Sequence, residues 1–528
     1  MPTEIKTERD KKPKEKFKGI EEIALCFSGG GYRAACFSLG TLSFFEKIGL
    51  LKKVKVISTV SGGTITGVKY AQSQAAKQDF DTFFKDYFNW LKKDELASNA
   101  IRHIKKRKIW KRSENIHKRK NPINAFAIEY NSFTRQMTLG DVQNAIENND
   151  THLERVVFNT TDFTHSMRFR FQNTNTRGLL GNKKIQDLGH DLKAYLNKLK
   201  LGDILASSSA FPGGFEPIGF PNDFVSKAVR EKMGMAEIGL MDGGIIDNQG
   251  ISSILSSSKK YDLYFLNDVA SPYPGEPFKF AQSNSIIKIL SYMTSLPLLF
   301  LTLSLTIYFI FQKYFILTAL FVLLVTIMAA FQYLFYFANK MLKKEMGVLD
   351  KLRIPPRRFG YYVFDRITSL LKMTTEVFLK SARRSNYESI YSKFWNRIAT
   401  SAIYELRCQN KENKPEGQNQ WELIKETTGE ITENMKKVAK YAASLGTTLW
   451  FSEEERKRGM LDAVVACGEF TACYNLIAHL ITNHKEDIRE GGMLYNMFFK
   501  ALGVWKSMLN DPYYILAGRI DSTRILRI

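Results

Sequence analysis

The sequence predicts an α/β fold in which parallel strands are joined by crossover helices, and three observations carry that reading. Within residues 21–68, two apolar runs, Ile23 to Phe27 and Val54 to Val60, have strand length, and each stops at glycines where a helical pattern begins. Further strand-length segments recur at 156–171, 236–242 and 260–270. Finally, 528 residues with a 44% hydrophobic share, including 38 Phe and 23 Tyr, suffice for one large or two modest buried cores and exclude a mostly disordered chain.

The first two runs make a strand, helix, strand, helix unit, which places both glycine turns at the carboxyl edge of one sheet. At the second turn, Thr59-Val60-Ser61-Gly62-Gly63 holds a serine between a buried strand and a helix start, the layout of a nucleophile elbow, with Thr59 where G-x-S-x-G has its first glycine. At the first turn, Gly29, Gly30 and Gly31 let consecutive backbone N–H groups face a developing oxyanion. A phosphate cradle is the competing use of such a loop. The glycines run into Tyr32-Arg33-Ala34 rather than G-K-[ST], which argues against nucleotide binding. Ser-Gly-Gly and Gly-Gly-Gly are each ordinary turns when taken singly. Their occurrence on consecutive strands of one unit makes them a candidate site.

A serine nucleophile needs a base. His103 and His117 lie in a lysine-rich run, His152 and His165 flank an expected strand, and His190 follows a polar turn. His479 and His484 come late, where a Ser, Asp, His order would want the histidine, but His479 sits in the apolar helical run TACYNLIAHLI and reads as a core or helix-end residue. Asp242, directly after a short apolar strand and before Gly243-Gly244, is the better candidate, provided the site raises a pKa that is ordinarily near 4. Asp247 reads as a structural turn residue.

The set G-G-G-Y-R at 29–33, S-G-G at 61–63, ASSSAFPGGFEP at 206–217 and DGG at 242–244, in this order, resembles the patatin-like phospholipases. The strand, Thr-Asp turn, strand pattern of VVFNTTDFTHSMRFRF at 156–171 adds to the likeness, which covers about residues 21–272. The resemblance implies a three-layer α/β/α patatin-like fold, a Ser-Asp dyad without histidine, and hydrolysis of acyl esters in lipids. Carried over by position, Ser61 would be the nucleophile and Asp242 the general base. Gly29, Gly30 and Gly31 would form the oxyanion loop with Arg33 as its companion.

Five cysteines, with no C-x-x-C pair, argue for a reducing compartment and against a disulfide framework or structural zinc. Neither an EF-hand loop nor HExxH occurs, so no metal and no cofactor is expected. A net charge of +23 calls for a polyanionic neighbour. Its densest contribution, IRHIKKRKIWKRSENIHKRK at 101–120, reads either as a solvated basic loop or as a lipid head-group contact, an insertion over the site or against the bilayer. No zinc finger, homeodomain or RNP signature accompanies it, so nucleic acid is not the expected partner.

In chain order, residues 1–20 read as a mobile charged tail without an apolar run, and 21–272 as the catalytic domain, including an amphipathic helix at 80–93. Within 273–345 follow two nearly uninterrupted apolar runs, 289–311 and 314–338, each long enough to cross a hydrocarbon core of about 30 Å, with Gln312-Lys313 as the hairpin tip. Pro297 allows a kinked, re-entrant first helix. Lys and Arg on the outer flanks outnumber the single Lys313 at the tip, so the positive-inside rule puts the catalytic domain on the cytoplasmic side. Residues 346–528 read as helical, apart from a loop at 410–420, and as packing on or extending the catalytic domain.

The expected protein is thus an integral membrane lipid acyl hydrolase acting on membrane phospholipids, of phospholipase A or lysophospholipase type, with a homo-oligomeric state left open. A catalytically silent membrane scaffold or sensor on the same fold, and a nucleic-acid-associated membrane protein using 101–120, are the alternative classes.

Overall fold

Five buried residues in a row, Ile23–Phe27, leave neither face of β1 in water, so this strand needs a sheet covered on both sides. The computed structural model describes residues 19–173, 180–257, 259–270, 278, 280, 296–345, 356–373, 377–407 and 418–528. They fall into two compact units, one made of the chain up to Pro272 together with Leu379–Ile528, the other of Tyr273–Phe378. In the first unit β1 pairs in parallel with β2 (Val54–Val60) on one side and β7 (Leu263–Asp268) on the other. The remaining strands are β3 (Arg155–Asp162), β4 (Met167–Gln172), β5 (Ile218–Phe220), β6 (Ile238–Asp242) and β8 (Ile398–Ala402). Together they form one mixed sheet of eight strands in the order β5-β6-β3-β2-β1-β7-β8, with β4 paired to β3. Neighbours from β3 to β8 along this path are parallel, whereas β4 and β6 run antiparallel to β3, and β5 to β6.

Side-chain alternation divides the core. Ile23, Leu25 and Phe27 join a large cluster with Phe37, Phe44 and Phe45 of helix α1 (Gly31–Lys47), while Ala24 and Cys26 join Val56, Tyr264 and Leu266 under Ile251, Ile254 and Ile390. Helices therefore cover both faces, the three-layer arrangement that the sequence implied. The layer beside α1 also holds α2 (Gly62–Ala75), α3 (Phe80–Lys93), α4 (Pro122–Phe133), α5 (Leu201–Ser208) and α6 (Met460–Asn483). α1 and α6 touch backbone to backbone: a Cβ on Gly40 would lie 2.1 Å from the Val465 carbonyl oxygen, and one on Gly468 2.2 Å from that of Phe37. Among the described residues α6 alone is long and apolar enough to cross a membrane, yet 89% of its most apolar stretch is buried, which makes it a core helix.

Two sequence readings are corrected here. The C-terminal region is not wholly helical, because the helix at Phe378–Phe394 ends and Ile398–Ala402 becomes β8, paired with β7 from Tyr264↔Ile398 to Asp268↔Ala402. A short run of small and β-branched residues has no fixed preference of its own, and the unpaired edge of β7 decides it. The end of the basic run is not a solvated loop either. Lys118 and Asp203 pair at 2.7 Å with both side chains fully buried, and Arg119 donates from Nε and Nη2 to the Asp223 carboxylate. Burial would raise the Asp223 carboxyl, but the Arg119 hydrogen bonds outweigh it and the net shift is downward. Burial also pulls His117 down to about 4. Lys105, Lys106, Arg107, Lys108, Lys111, Arg112 and Lys120 remain exposed.

In the second unit, helices Leu296–Phe311 and Phe315–Glu345 form a hairpin closed by Lys313, whose φ of 59° reverses the chain. Thr302 and Met328 are buried between the two helices, and the Phe309 and Phe321 rings lie 5.2 Å apart. Phe300, Phe311, Phe315, Ile316, Leu320 and Leu323 face outward and are exposed. The tail up to 18, the first apolar residues 289–295 and most of the loop at 410–420 lie outside the described residues.

Candidate active site

The turn after β2 is under strain that its neighbours hold in place. Ser61 has φ 50° and ψ −120°, a conformation that a residue with a Cβ rarely adopts. Its N–H donates to Ser208 Oγ at 3.0 Å, and its carbonyl accepts from the Thr64 N–H at 2.8 Å. Thr59, the departure from the elbow pattern, costs no room because Gly67 makes way for it: a Cβ there would sit 2.5 Å from Thr59 Cγ2. Similarly, a Cβ on Gly62 would fall 2.1 Å from the Gly31 carbonyl oxygen, so the elbow and the glycine loop meet through bare backbone.

That loop leaves β1 and opens α1. Gly30 and Gly31 have φ 144° and 57°, both in the region that favours glycine. The Gly29 N–H donates to the Asn248 carbonyl at 2.9 Å and the Tyr32 N–H to the Thr448 carbonyl at 2.8 Å. The N–H groups of Gly30 and Gly31 have no acceptor among the described residues. They are the orphan donors of a helix start, the partial positive charge that an oxyanion needs. Arg33, on the first turn of α1, has its own partners. It is buried, its guanidinium lies 5.6 Å from the Tyr404 ring centre, and Nη1 donates to the Leu445 carbonyl at 2.8 Å. Burial holds its pKa below the usual arginine value. Arg33 thus fixes the segment 445–448, which in turn accepts the Tyr32 N–H.

Asp242 arrives from an antiparallel strand. β6 runs against β3 with Asp242 opposite Thr160, one residue beyond Asn159, and Asn159 is opposite Val60 of β2. Two successive registers therefore carry the last residue of β6 to the elbow. Its backbone is fixed by the Asp242 N–H to the Ala210 carbonyl at 3.0 Å and by Thr161 Oγ1 to the Asp242 carbonyl at 2.9 Å. The carboxylate accepts the Gly244 N–H at 2.7 Å. It is 5% exposed, and burial raises its pKa to about 6, against the opposing pull of hydrogen bonds from the Ser61 side chain and the Gly244 N–H.

Two residues that the sequence reading did not single out tie these pieces together. Ser208 Oγ accepts from the Ser61 N–H, donates to the Asn159 carbonyl at 2.6 Å and lies 2.9 Å from Thr64 Oγ1. Asn159 Nδ2 donates to Ser58 Oγ and to the Thr59 carbonyl, each at 3.0 Å. The only advance signal was the small, turn-rich run ASSSAFPGGFEP at 206–217, whose hydroxyls only the structure places. Asp247 accepts the N–H groups of Ile251 and Ser252, a turn-capping role. Four of the histidines have other partners: His152 Nδ1 the Val54 carbonyl, His165 Nδ1 Asp162, His103 Nε2 Glu129 and His479 Nδ1 the Ile398 carbonyl. Among the described residues no group of three or more His, Cys, Asp or Glu side chains is arranged to hold a metal ion.

Residues 25–254 match the family model described as patatin-like phospholipase, so the chain carries a patatin-like phospholipase domain there. Two solved structures are similar at low identity. Human GIVD cytosolic phospholipase A2 is 13% identical with a TM-score of 0.31, over 48% of this chain and 46% of that one, so less than half of its length is spanned. VipD from Legionella pneumophila is 11% identical with a TM-score of 0.26, over 93% of this chain and 80% of that one. No curated protein sequence matches the chain.

Proposed function

We propose that the chain is a lipid acyl hydrolase in which Ser61 is the nucleophile and Asp242 its base, held at a membrane by the hairpin of the second unit. The catalytic reading is carried by Ser61, strained at its elbow, together with the buried Asp242, whose pKa burial raises to about 6, and by the Gly30 and Gly31 N–H groups, which have no acceptor among the described residues. In the proposed reaction the Asp242 carboxylate takes the Ser61 proton as Oγ attacks an ester carbonyl. The N–H groups of Gly30 and Gly31 stabilise the oxyanion, each such donor being worth about 10²- to 10³-fold in rate. Collapse breaks the ester bond and the departing alkoxide takes the proton back from Asp242. Water, deprotonated by the same carboxylate, then frees the fatty acid and restores Ser61. The experiment is labelling with a fluorophosphonate, located by mass spectrometry, together with fatty acid release from phospholipid vesicles. Absence of any covalent adduct at Ser61 in folded protein would leave a silent scaffold as the better reading.

A base works only when ionised, so kcat/KM should climb about tenfold per pH unit below about 6 and level off above it, the value to which burial raises Asp242. A rate that is flat from pH 4.5 to 8 would rule Asp242 out. The stability consequence has the opposite sign. Between the ordinary carboxyl value of 3.8 and about 6, the folded chain keeps a proton that the unfolded chain has lost. Stability due to this group is greatest at low pH and declines as the pH rises through that window, by about 3 kcal/mol at about 1.4 kcal/mol per pH unit.

The exposed rings and aliphatic chains of the hairpin support the membrane part, since a large outward apolar surface demands a cover. With Lys313 at the tip and the flanking cations outside, the catalytic unit belongs on the cytoplasmic side. Deleting residues 289–338 is expected to move the protein from the carbonate-resistant membrane fraction to the soluble one. An unchanged distribution would reject the anchor.

A further inference from the structure

Lys69 has no part in the proposed ester chemistry, and its surroundings leave it unsatisfied. It lies on α2, the helix that begins at the elbow, and is 5% exposed. Its ammonium has no carboxylate within 4 Å among the described residues. Its acceptor is the Phe133 carbonyl, at a long 3.5 Å, and the Phe133 ring centre lies 4.9 Å away. Burial, and after it the charge of Arg135, pulls its pKa from 10.5 to about 8. A buried cation without a counter-ion is costly and calls for one.

Lys69 lines a cavity of about 710 Å³. Trp90 and Phe133 form one wall, their ring centres 4.0 Å apart, and Lys92, Lys93 and Arg135 contribute three further cations. Most carboxylates of the wall are engaged already. Asp86 accepts from Gln78 and faces Arg135 at 3.8 Å, and Glu129 accepts from Asn99 and His103, which leaves Glu95 on the exposed rim. Trp90 also packs against Tyr32, ring centres 6.1 Å apart, so the cavity backs onto the residue that follows the glycine loop. Neither Ser61 nor Asp242 lines it.

We propose that this cavity binds a phosphate-bearing ligand, a phosphomonoester or phosphodiester whose anionic group pairs with Lys69 and whose organic part lies against Trp90 and Phe133. In the lining, the four cations Lys69, Lys92, Lys93 and Arg135 outnumber the three carboxylates Asp86, Glu95 and Glu129, and lysine is a point-charge partner for phosphate. The group could belong to a free metabolite or to a lipid head group, and the test separates the two. The full chain is titrated with inorganic phosphate by calorimetry. In a second arm it is mixed with phosphatidylcholine vesicles that contain or lack phosphatidic acid. Lys69→Met is expected to weaken binding by about tenfold or more, and Lys69→Arg by less, since the charge is kept. Loss in the phosphate arm identifies a free anion site. Loss confined to the phosphatidic acid arm identifies a head-group site. Equal binding by wild type and Lys69→Met in both arms, or none by wild type, overturns the proposal. Should Lys69→Met fail to fold, acetylation of Lys69 in wild type, read by mass spectrometry, must fall when phosphate or phosphatidic acid is added. Labelling that neither changes overturns it equally.

Discussion

Ser61→Ala is expected to lower acyl-ester hydrolysis by on the order of 10⁴-fold or more, because the residue that would form the acyl intermediate is gone while the donors around it remain. Asp242→Asn should cost on the order of 10³- to 10⁴-fold through a different route: the hydroxyl keeps a neighbour that cannot take its proton. The two variants should then part in their stability. An amide at 242 no longer carries the penalty of a buried charge, so Asp242→Asn should melt higher than wild type at pH 7 and lose that advantage as the pH falls below about 6. Ser61→Ala removes only a hydroxyl from a strained position. Steady-state hydrolysis with thermal melts at pH 5 and 7 gives all four comparisons, and hydrolysis by either variant within about tenfold of wild type would end the dyad reading.

The second large effect concerns stability alone. Lys118→Met should destabilise the first unit by about 3–5 kcal/mol, since it leaves the Asp203 carboxylate fully buried without its cation. Asn131 Nδ2 still donates to Asp203 Oδ1 at 2.8 Å, but Oδ2 has no partner among the described residues even with Lys118 in place. The Asp223 carbonyl would also lose the Lys118 ammonium that it accepts at 2.6 Å. Hydrogen exchange of Leu201–Ser208 in the full chain should report the loss locally, because Asp203 sits on that helix and Ser208, at its end, holds the elbow. Exchange unchanged at this helix would mean that the pair contributes little. By contrast, neutralising Lys105, Lys108 or Lys111, which are exposed, should leave stability within about 0.5 kcal/mol. One basic run thus holds two kinds of cation that composition does not separate.

What could be read in advance was whatever depends on neighbours along the chain. Strand length, glycines at strand ends and the Ser61 turn are local patterns, and they located both halves of the candidate site and the crossover between them. Asp242 was legible for the same reason, as a carboxylate between a short apolar strand and paired glycines. Ser208, Asn159 and the carbonyl of Thr448 were not, since each acts across 49 or more positions of sequence through a hydrogen bond that no spacing announces. The strand at Ile398–Ala402 shows the same limit, because its partner β7 lies more than 120 residues earlier.

By itself, then, the sequence determined the chemistry available: a serine at an elbow, a carboxylate at a strand end, a run of glycine N–H groups and an apolar hairpin. Tertiary structure alone decided the environment of that chemistry. It buried Asp242 until its pKa rose to about 6, tied Arg33 to the Leu445 carbonyl, and buried Lys118 and Lys69 while leaving neighbouring cations in water. The physical reason is that bonding type follows from residue identity, whereas dielectric and hydrogen-bond partners are properties of the space between distant segments, and these fix what each ionisable group does.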